Sequence, residues 1–398
     1  MASDPHSDTD PDSNSDPDTA ITRITPTEAR RRLETGAVLI DVRNPGEIAL
    51  GMPEGALALL PDALDARIGE YARAEDPVML VCASGPRAQR AAQRLERLGY
   101  RDLSVVEGGV GQWRREGLRC VQSEHLEVED AERYARQMNL PELGVEGQAR
   151  LAASRVAVIG AGGLGSPALL YLAAAGVGTL GMVDDDRVER SNLHRQVLHR
   201  DDRIGQPKTD SARATLQALN PGIDIRAHRL RLGPENVEEI FSDYQIIVDG
   251  SDNFPTRYLV NDACVRLGLP NVYGAVQRFE GQVSVFPAGG GPCYRCLFSA
   301  PPEAGVAPSC DEAGVLGVVP GIIGMLQALE VIKLVTGIGE PLIGRLLLFD
   351  ARATRLRELA LSRNPSCRCC SPDREFTGYV TETSACATSE AAPRSAHD

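Results

Sequence analysis

Positive charge is what this chain is short of. Its 398 residues carry 42 Lys and Arg against 55 Asp and Glu, a net charge of −13. That deficit, with a pI near 5.1, argues against nucleic acid or an anionic membrane surface as the main partner. No apolar run approaches the length of a membrane span, and no charged-then-apolar export pattern opens the chain. Both absences point to the cytoplasm. Residues 1–20 hold six Asp and no Lys or Arg, so they read as a disordered acidic tail. The stretch 371–398 reads as a milder version, a flexible C-terminal tail. Ten cysteines without an export signal do not read as disulfides, and their uneven spacing points to cysteine chemistry instead.

What remains is long enough for two folded units, and a 42% hydrophobic content supplies ordinary cores. In residues 21–122 the short apolar stretches 37–43, 77–82 and 103–109 read as strands. A helical pattern runs from Arg87 to Leu98 and is closed by Gly99. Alternating strand and helix imply a small parallel α/β layer, with its ligand site at the carboxyl ends of the strands. Cys82 stands at such an end in "VCASGPRAQRA", directly before a helix. Backbone N–H groups there lower a thiol pKa and stabilise an anion, and Arg87 adds a fixed positive charge. A buried structural cysteine is the bland alternative, and the loop C-A-S-G-P-R counts against it. "LIDVRNPGEIALGMPEGALALLP", followed by C-x-x-G-x-R, resembles a single rhodanese domain. The resemblance implies that Cys82 carries sulfur as a persulfide, with Asp41 and Arg43 structuring its surroundings. It departs from the family at "GMPEGA", where a histidine-containing "GHIPGA" is frequent.

Residues 130–370 open on a nucleotide-binding pattern. A strand leads to Gly160, Gly162, Gly163 and Gly165, a helix follows over 164–175, and Asp184 ends the next strand. Phosphates then lie at the helix N-terminus and ribose hydroxyls on Asp184. This alone does not separate a dinucleotide from ATP. "RSNLHRQ" and "GQPKTDSA" add Ser191, Asn192, Arg195 and Lys208, and a triphosphate needs such a pair of cations where hydride transfer does not. "YQIIVDGSDN" runs a strand into Asp249, Asp252 and Asn253, and the two carboxylates are suited to Mg²⁺. Cys293-x-x-Cys296 and Cys367-x-x-Cys370 make a four-thiolate set for tetrahedral Zn²⁺, although Cys369 could replace Cys370.

In this order the motifs resemble the MoeB/ThiF family, relatives of the ubiquitin-activating enzymes. The resemblance implies a Rossmann-like adenylating domain with a mostly parallel sheet and a zinc knuckle. It implies ATP contacts at Gly163, Asp184, Ser191, Asn192, Leu193, His194, Arg195, Lys208, Asp252 and Asn253. It further implies a homodimer in which Arg136 reaches the opposite subunit. Cys310, in a Gly/Pro-rich connection before an apolar helix over 322–335, matches a cysteine that some members use covalently and others do not need. Both roles stay open.

The implied activity is adenylation of the C-terminal glycine of a small ubiquitin-like sulfur carrier ending in Gly-Gly. Sulfur from a persulfide or thiosulfate donor then makes the thiocarboxylate. The resemblance favours the molybdopterin-synthase carrier, with the thiamine-thiazole counterpart second. A dinucleotide-dependent oxidoreductase and a non-catalytic docking module are the rivals from other classes.

Overall fold

The apolar stretches become strands because their alternating neighbours are helices that cover both sheet faces. The computed structural model describes residues 21–121, 128–301, 314–372 and 376–379, in two compact units that divide after Leu140. The expected acidic tail, residues 1–20, lies outside the described residues.

In the first unit the strands are β1 (Thr22–Ile24), β2 (Val38–Asp41), β3 (Met52–Pro53), β4 (Ala56–Ala58), β5 (Val78–Val81), β6 (Leu103–Val106) and β7 (Cys120–Val121). The main sheet is ordered β1-β6-β5-β2-β4, and every pairing in it is parallel. All four residues of β5 and of β6 are buried, as a sheet covered on both faces requires. The helix Pro86–Arg97 turns Ala88, Ala91, Ala92 and Leu95 inward, a stripe at helical spacing. Pro86 opens it at a position where a missing N–H costs nothing. Residues 128–140 fall in this unit: Gly46 lies against the Ala135 backbone and donates its N–H to Asn139 Oδ1 at 3.1 Å.

The second unit holds β8 (Arg155–Ile159), β9 (Thr179–Val183), β10 (Asp224–His228), β11 (Ile246–Asp249), β12 (Asn271–Gln277), β13 (Glu280–Phe286), β14 (Arg345–Asp350) and β15 (Arg355–Ala360). Their order is β10-β9-β8-β11-β12-β13-β14-β15. Pairings from β10 to β12 are parallel and those from β12 to β15 antiparallel. From β8 the chain moves first to β9 on one side and later to β11 on the other. That reversal opens a crevice at the carboxyl ends of β8 and β11.

Two sequence expectations change here. The helix Val318–Thr336 spans 19 residues at a mean hydropathy of 1.8, so one apolar run does reach membrane-spanning length. It is the core helix of this unit, packed on β12, β13 and the helix Gly165–Ala175. Gln327 Nε2 on it donates to the carbonyls of Asp249 (2.7 Å) and Val272 (3.0 Å), and Glu330 accepts from the Leu342 N–H. Residues 376–379, expected in a flexible tail, are packed. Arg266 lies 4.2 Å over the Phe376 ring, and Tyr379 donates to Glu238 Oε1 at 2.6 Å.

Candidate functional site

The crevice of the second unit holds a cavity of about 350 Å³, within the range of small-molecule sites. Its floor is the glycine turn after β8. Gly160 has φ +88°, and a Cβ there would lie 3.1 Å from the Gly250 carbonyl. A Cβ on Gly165 would collide with the Gly160 carbonyl oxygen. Glycine is therefore required by the packing of turn, helix and β11. Gly163 faces the cavity with Pro320 and Arg195 beside it.

Of the residues expected to meet ATP, Gly163, Asp184, Arg195, Lys208, Asp252 and Asn253 line this cavity together. Asp184 Oδ2 accepts the Ala161 N–H at 2.8 Å, and Oδ1 accepts the Asp186 N–H at 2.9 Å. Burial pushes its carboxyl above the usual range, with nearby Lys208 pulling the other way. Lys208 Nζ donates to Asp186 Oδ2 at 2.8 Å. Asn253 also serves the backbone, since its Oδ1 accepts the Thr256 N–H at 3.0 Å and caps the helix Phe254–Leu267.

Ser191, Asn192, Leu193 and His194 do not line the cavity. They sit on and after the short 3₁₀ turn Arg190–Asn192, where Ser191 and Asn192 face Glu189 Oε2 at 3.4 and 3.5 Å. Asp249, read as facing phosphates, is 1% exposed and absent from the wall. It accepts the Ser251 N–H (3.0 Å) and hydroxyl (2.6 Å) and so shapes the turn after β11. Arg136 is exposed on the helix Val128–Met138. Cys310 lies outside the described residues.

Three residues to which sequence reasoning assigned no role support the wall. Asp186 holds Lys208. Arg257 lines the cavity and donates to the Ser251 carbonyl at 3.0 Å. His199 is buried, with Nε2 2.9 Å from the Ala161 carbonyl and Nδ1 3.0 Å from Ser211 Oγ. A carbonyl only accepts, so Nε2 carries the proton and Nδ1 accepts from the hydroxyl. Burial pushes this imidazole below its ordinary pKa. The spacing "RQVLHR" gave no sign that one histidine props the glycine turn.

The Sγ atoms of Cys293, Cys296, Cys367 and Cys370 all lie within 4.8 Å of one another. Cys293 and Cys367 are 3.7 Å apart and Cys296 and Cys370 3.4 Å. A tetrahedron with zinc–sulfur bonds of about 2.3 Å has edges of about 3.8 Å, so the four thiols fit a closed zinc site. Cys369 lies beside the four, its thiol meeting Cys293 while it also donates to Asp262 Oδ1 at 3.2 Å and accepts from Asn261 Nδ2 at 3.3 Å. The Cys293–Cys296 loop is bolted to the helix Phe254–Leu267. Arg295, only 2% exposed, makes two 2.7 Å bonds to Asp262, and the Tyr294 N–H donates to Asn261 Oδ1 at 2.7 Å.

In the first unit Cys82 follows β5, 1% exposed, and its Sγ accepts the Gly85 N–H at 3.1 Å. Gly85, at φ +118°, makes the turn into the helix Pro86–Arg97. A second helix braces the loop from behind, with Val110 N–H on the Cys82 carbonyl (2.8 Å) and Gly111 N–H on the Ala83 carbonyl (3.2 Å). Gly109 permits this approach, since a Cβ there would strike the Cys82 carbonyl. Asp41 and Arg43 form a buried pair (2.7 Å), and Arg43 also donates to the Gly51 carbonyl at 2.8 Å. Arg87 is held by Glu47 through two 2.6 Å bonds, a partner the sequence did not suggest.

The ThiF family pattern matches residues 134–369. The chain belongs to the ThiF family. A rhodanese-like domain precedes, matched over residues 25–116. This ThiF-family chain is 53% identical over 259 residues to the sulfur carrier protein adenylyltransferase of Thermus thermophilus, covering 63% of this chain and 96% of that protein. It is 52% identical to a probable adenylyltransferase/sulfurtransferase MoeZ of Mycobacterium tuberculosis, covering 61% of this chain and 62% of that one. Against adenylyltransferase and sulfurtransferase MOCS3 of Drosophila yakuba the identity is 42%, over 78% of this chain and 69% of the relative. The match spans only about half the length of some other relatives, 51% for MOCS3-2 of Zea mays. Among solved structures, E. coli MccB with ATP shares the fold at 22% identity and a TM-score of 0.54, covering 63% of this chain and 77% of that one. A PaaA crystal structure aligns at 25% identity with the same TM-score, over 68% of this chain and 83% of its own.

Proposed function

We propose that the chain adenylates the C-terminal glycine of a small ubiquitin-like sulfur carrier and loads it with sulfur taken up on Cys82. The observation that carries this is the convergence of Gly163, Asp184, Arg195, Lys208 and Asp252 on one cavity at the sheet's switch point. The relatives named sulfur carrier protein adenylyltransferase and adenylyltransferase/sulfurtransferase support it.

The carrier carboxylate attacks the α-phosphorus of ATP, the bond to the β-phosphate breaks, and pyrophosphate leaves with its electron pair. Lys208 and Arg195 offset the charge of two approaching anions and of the departing one, and the glycine turn's helix supplies backbone N–H groups. Asp252, exposed on the cavity wall, is the residue that would hold Mg²⁺, which neutralises phosphate charge when bound. A persulfide on Cys82 then attacks the acyl carbon and AMP leaves. A second thiol, Cys310 or an external one, opens the resulting S–S bond, forms a disulfide with Cys82 and releases the thiocarboxylate.

The protein works as a cytoplasmic homodimer, in which the partner's Arg136 completes each ATP site. Val318, Met325 and Leu329 are exposed apolar side chains on one helix, the kind of patch an association covers. The carrier is that of the molybdenum cofactor pathway, with the thiamine-thiazole carrier as the second reading. Carrier-dependent ATP–pyrophosphate exchange with both carriers side by side tests the proposal. Exchange with neither carrier would sink it.

A further inference from the structure

The sulfur-loading loop, residues 82–87, contains one charged side chain, Arg87. A cation at the end of such a loop would draw an anionic donor toward the thiol. Here the Nη1–Nη2 edge of the guanidinium is occupied: Nη1 donates to Glu47 Oε2 and Nη2 to Glu47 Oε1, each at 2.6 Å. This is a bidentate pair, with both side chains 29% exposed. Glu47 is itself fixed, since Oε2 also accepts the Asn44 N–H at 3.1 Å across the start of the helix Pro45–Ala49. Arg87 lies in the electrostatic field of Cys82 and Asp41, and Glu47 in that of Arg43. Near the loop stand two ion pairs, each neutral in itself, Arg43 with Asp41 and Arg87 with Glu47, and Arg114 shares the Gly51 carbonyl with Arg43.

We propose that Glu47 is a specificity-determining residue of the sulfur-loading step, withholding Arg87 from the donor and disfavouring the dianion thiosulfate relative to singly charged persulfides. This rests on the reading of Cys82 as the sulfur carrier. The two loading reactions have the same form. With thiosulfate, the Cys82 thiolate attacks the outer sulfur, the S–S bond breaks, and sulfite leaves with both electrons, so that Cys–S⁻ and S₂O₃²⁻ give Cys–S–S⁻ and SO₃²⁻. With a persulfide, Cys–S⁻ and R–S–S⁻ give Cys–S–S⁻ and R–S⁻. The nucleophile, the bond formed and the transferred atom are shared. The donors differ in the charge that must approach the loop.

Coulomb energy is proportional to donor charge, so neutralising Glu47 changes log KM for a dianion about twice as much as for a monoanion. That proportion is the test. The full-length protein is assayed for Cys82 persulfide, read by mass, with thiosulfate and with 2-hydroxyethyl persulfide as donors. Glu47→Gln lowers KM about 10-fold for thiosulfate and about 3-fold for the persulfide, with both effects shrinking as salt is added. Glu47→Asp keeps the charge and keeps the wild-type ratio of the two KM values.

A structural role for Glu47 would instead reduce kcat for both donors together and leave their KM ratio unchanged, and that result overturns the proposal. So does wild-type loading from both donors with a Glu47→Gln variant indistinguishable from it. If wild-type Cys82 takes sulfur from neither donor, the sulfur-carrier reading falls first and the proposal goes with it.

Discussion

Lys208 Nζ lies 2.8 Å from Asp186 Oδ2, the lysine 6% exposed and the aspartate 67%. A buried ammonium is held in place by a carboxylate that reaches in from solvent, and both line the cavity. An arriving triphosphate can compete for the lysine because its present partner is weakly bound in water. Lys208→Ala therefore lowers carrier-dependent ATP–pyrophosphate exchange by ~10²-fold or more, as loss of a charge-stabilising contact does. Asp252→Ala has a similar effect. Asp186→Asn leaves the ammonium in place and stays within about 10-fold of wild type. Exchange rates with a fixed carrier check all three, and near-normal exchange by Lys208→Ala would remove the ATP assignment.

His199 predicts a pH dependence. Its folded pKa lies below 6.5, chiefly because burial disfavours the imidazolium. The unfolded chain therefore binds a proton that the folded one refuses. The stability contributed by neutral His199 is complete above the unfolded pKa and is lost progressively as pH falls below 6.5 toward the folded value. Protonation also costs Nδ1 its bond from Ser211. The midpoint of urea unfolding falls between about pH 7.5 and about pH 5.5, and His199→Gln flattens that fall. An equal slope in the variant would show that another group is responsible.

How much of this was legible beforehand depended on whether a residue's partner lay near it in sequence or far off. Gly160 to Gly165, Asp184 and the two Cys-x-x-Cys pairs announce themselves by spacing, and the switch-point crevice follows from strand order. Glu47 and Arg87 are 40 residues apart, so nothing local advertises their pairing. The same holds for His199 beneath Ala161. Asp249 misled because a carboxylate at a strand end has the same appearance whether it faces the crevice or closes a turn with Ser251. The helix Val318–Thr336 is expected from sequence only over 322–335, because a glycine- and proline-containing start interrupts its apolar pattern. Cys369 could not be separated from Cys370 by spacing. The mutual closeness of the Cys293, Cys296, Cys367 and Cys370 Sγ atoms makes the separation.

The four-thiol cluster predicts about one zinc per chain, released only by thiol modification or unfolding. Cys293→Ser loses the metal and misfolds, whereas Cys369→Ser keeps it. Arg295→Met leaves Asp262 without its bidentate partner and releases zinc faster to a chromophoric chelator, and Arg295→Lys restores part of the retention. Elemental analysis and chelator kinetics read these outcomes directly. Metal-free wild-type protein that folds normally would end the zinc assignment.

Cys82 and Cys310 are both candidates for handling sulfur, and their variants fail differently. Cys82→Ala leaves exchange intact, because every residue lining the ATP cavity belongs to the second unit. It halts carrier sulfuration, because the sulfur that accepts the Gly85 N–H and sits near Arg87 is gone. Cys310→Ala tests the release step. If Cys310 opens the acyl persulfide, its loss also leaves exchange intact but stalls the carrier as a covalent adduct on Cys82. If an external thiol does that work, the Cys310 variant sulfurates normally. The carrier's mass after incubation with ATP and donor tells these apart, since an unsulfurated adenylate hydrolyses back to the starting carboxylate while a thiocarboxylate is heavier by the difference between sulfur and oxygen. Normal sulfuration by Cys82→Ala would show that the first unit is not the donor, and its likeness to rhodaneses would then be one of fold alone.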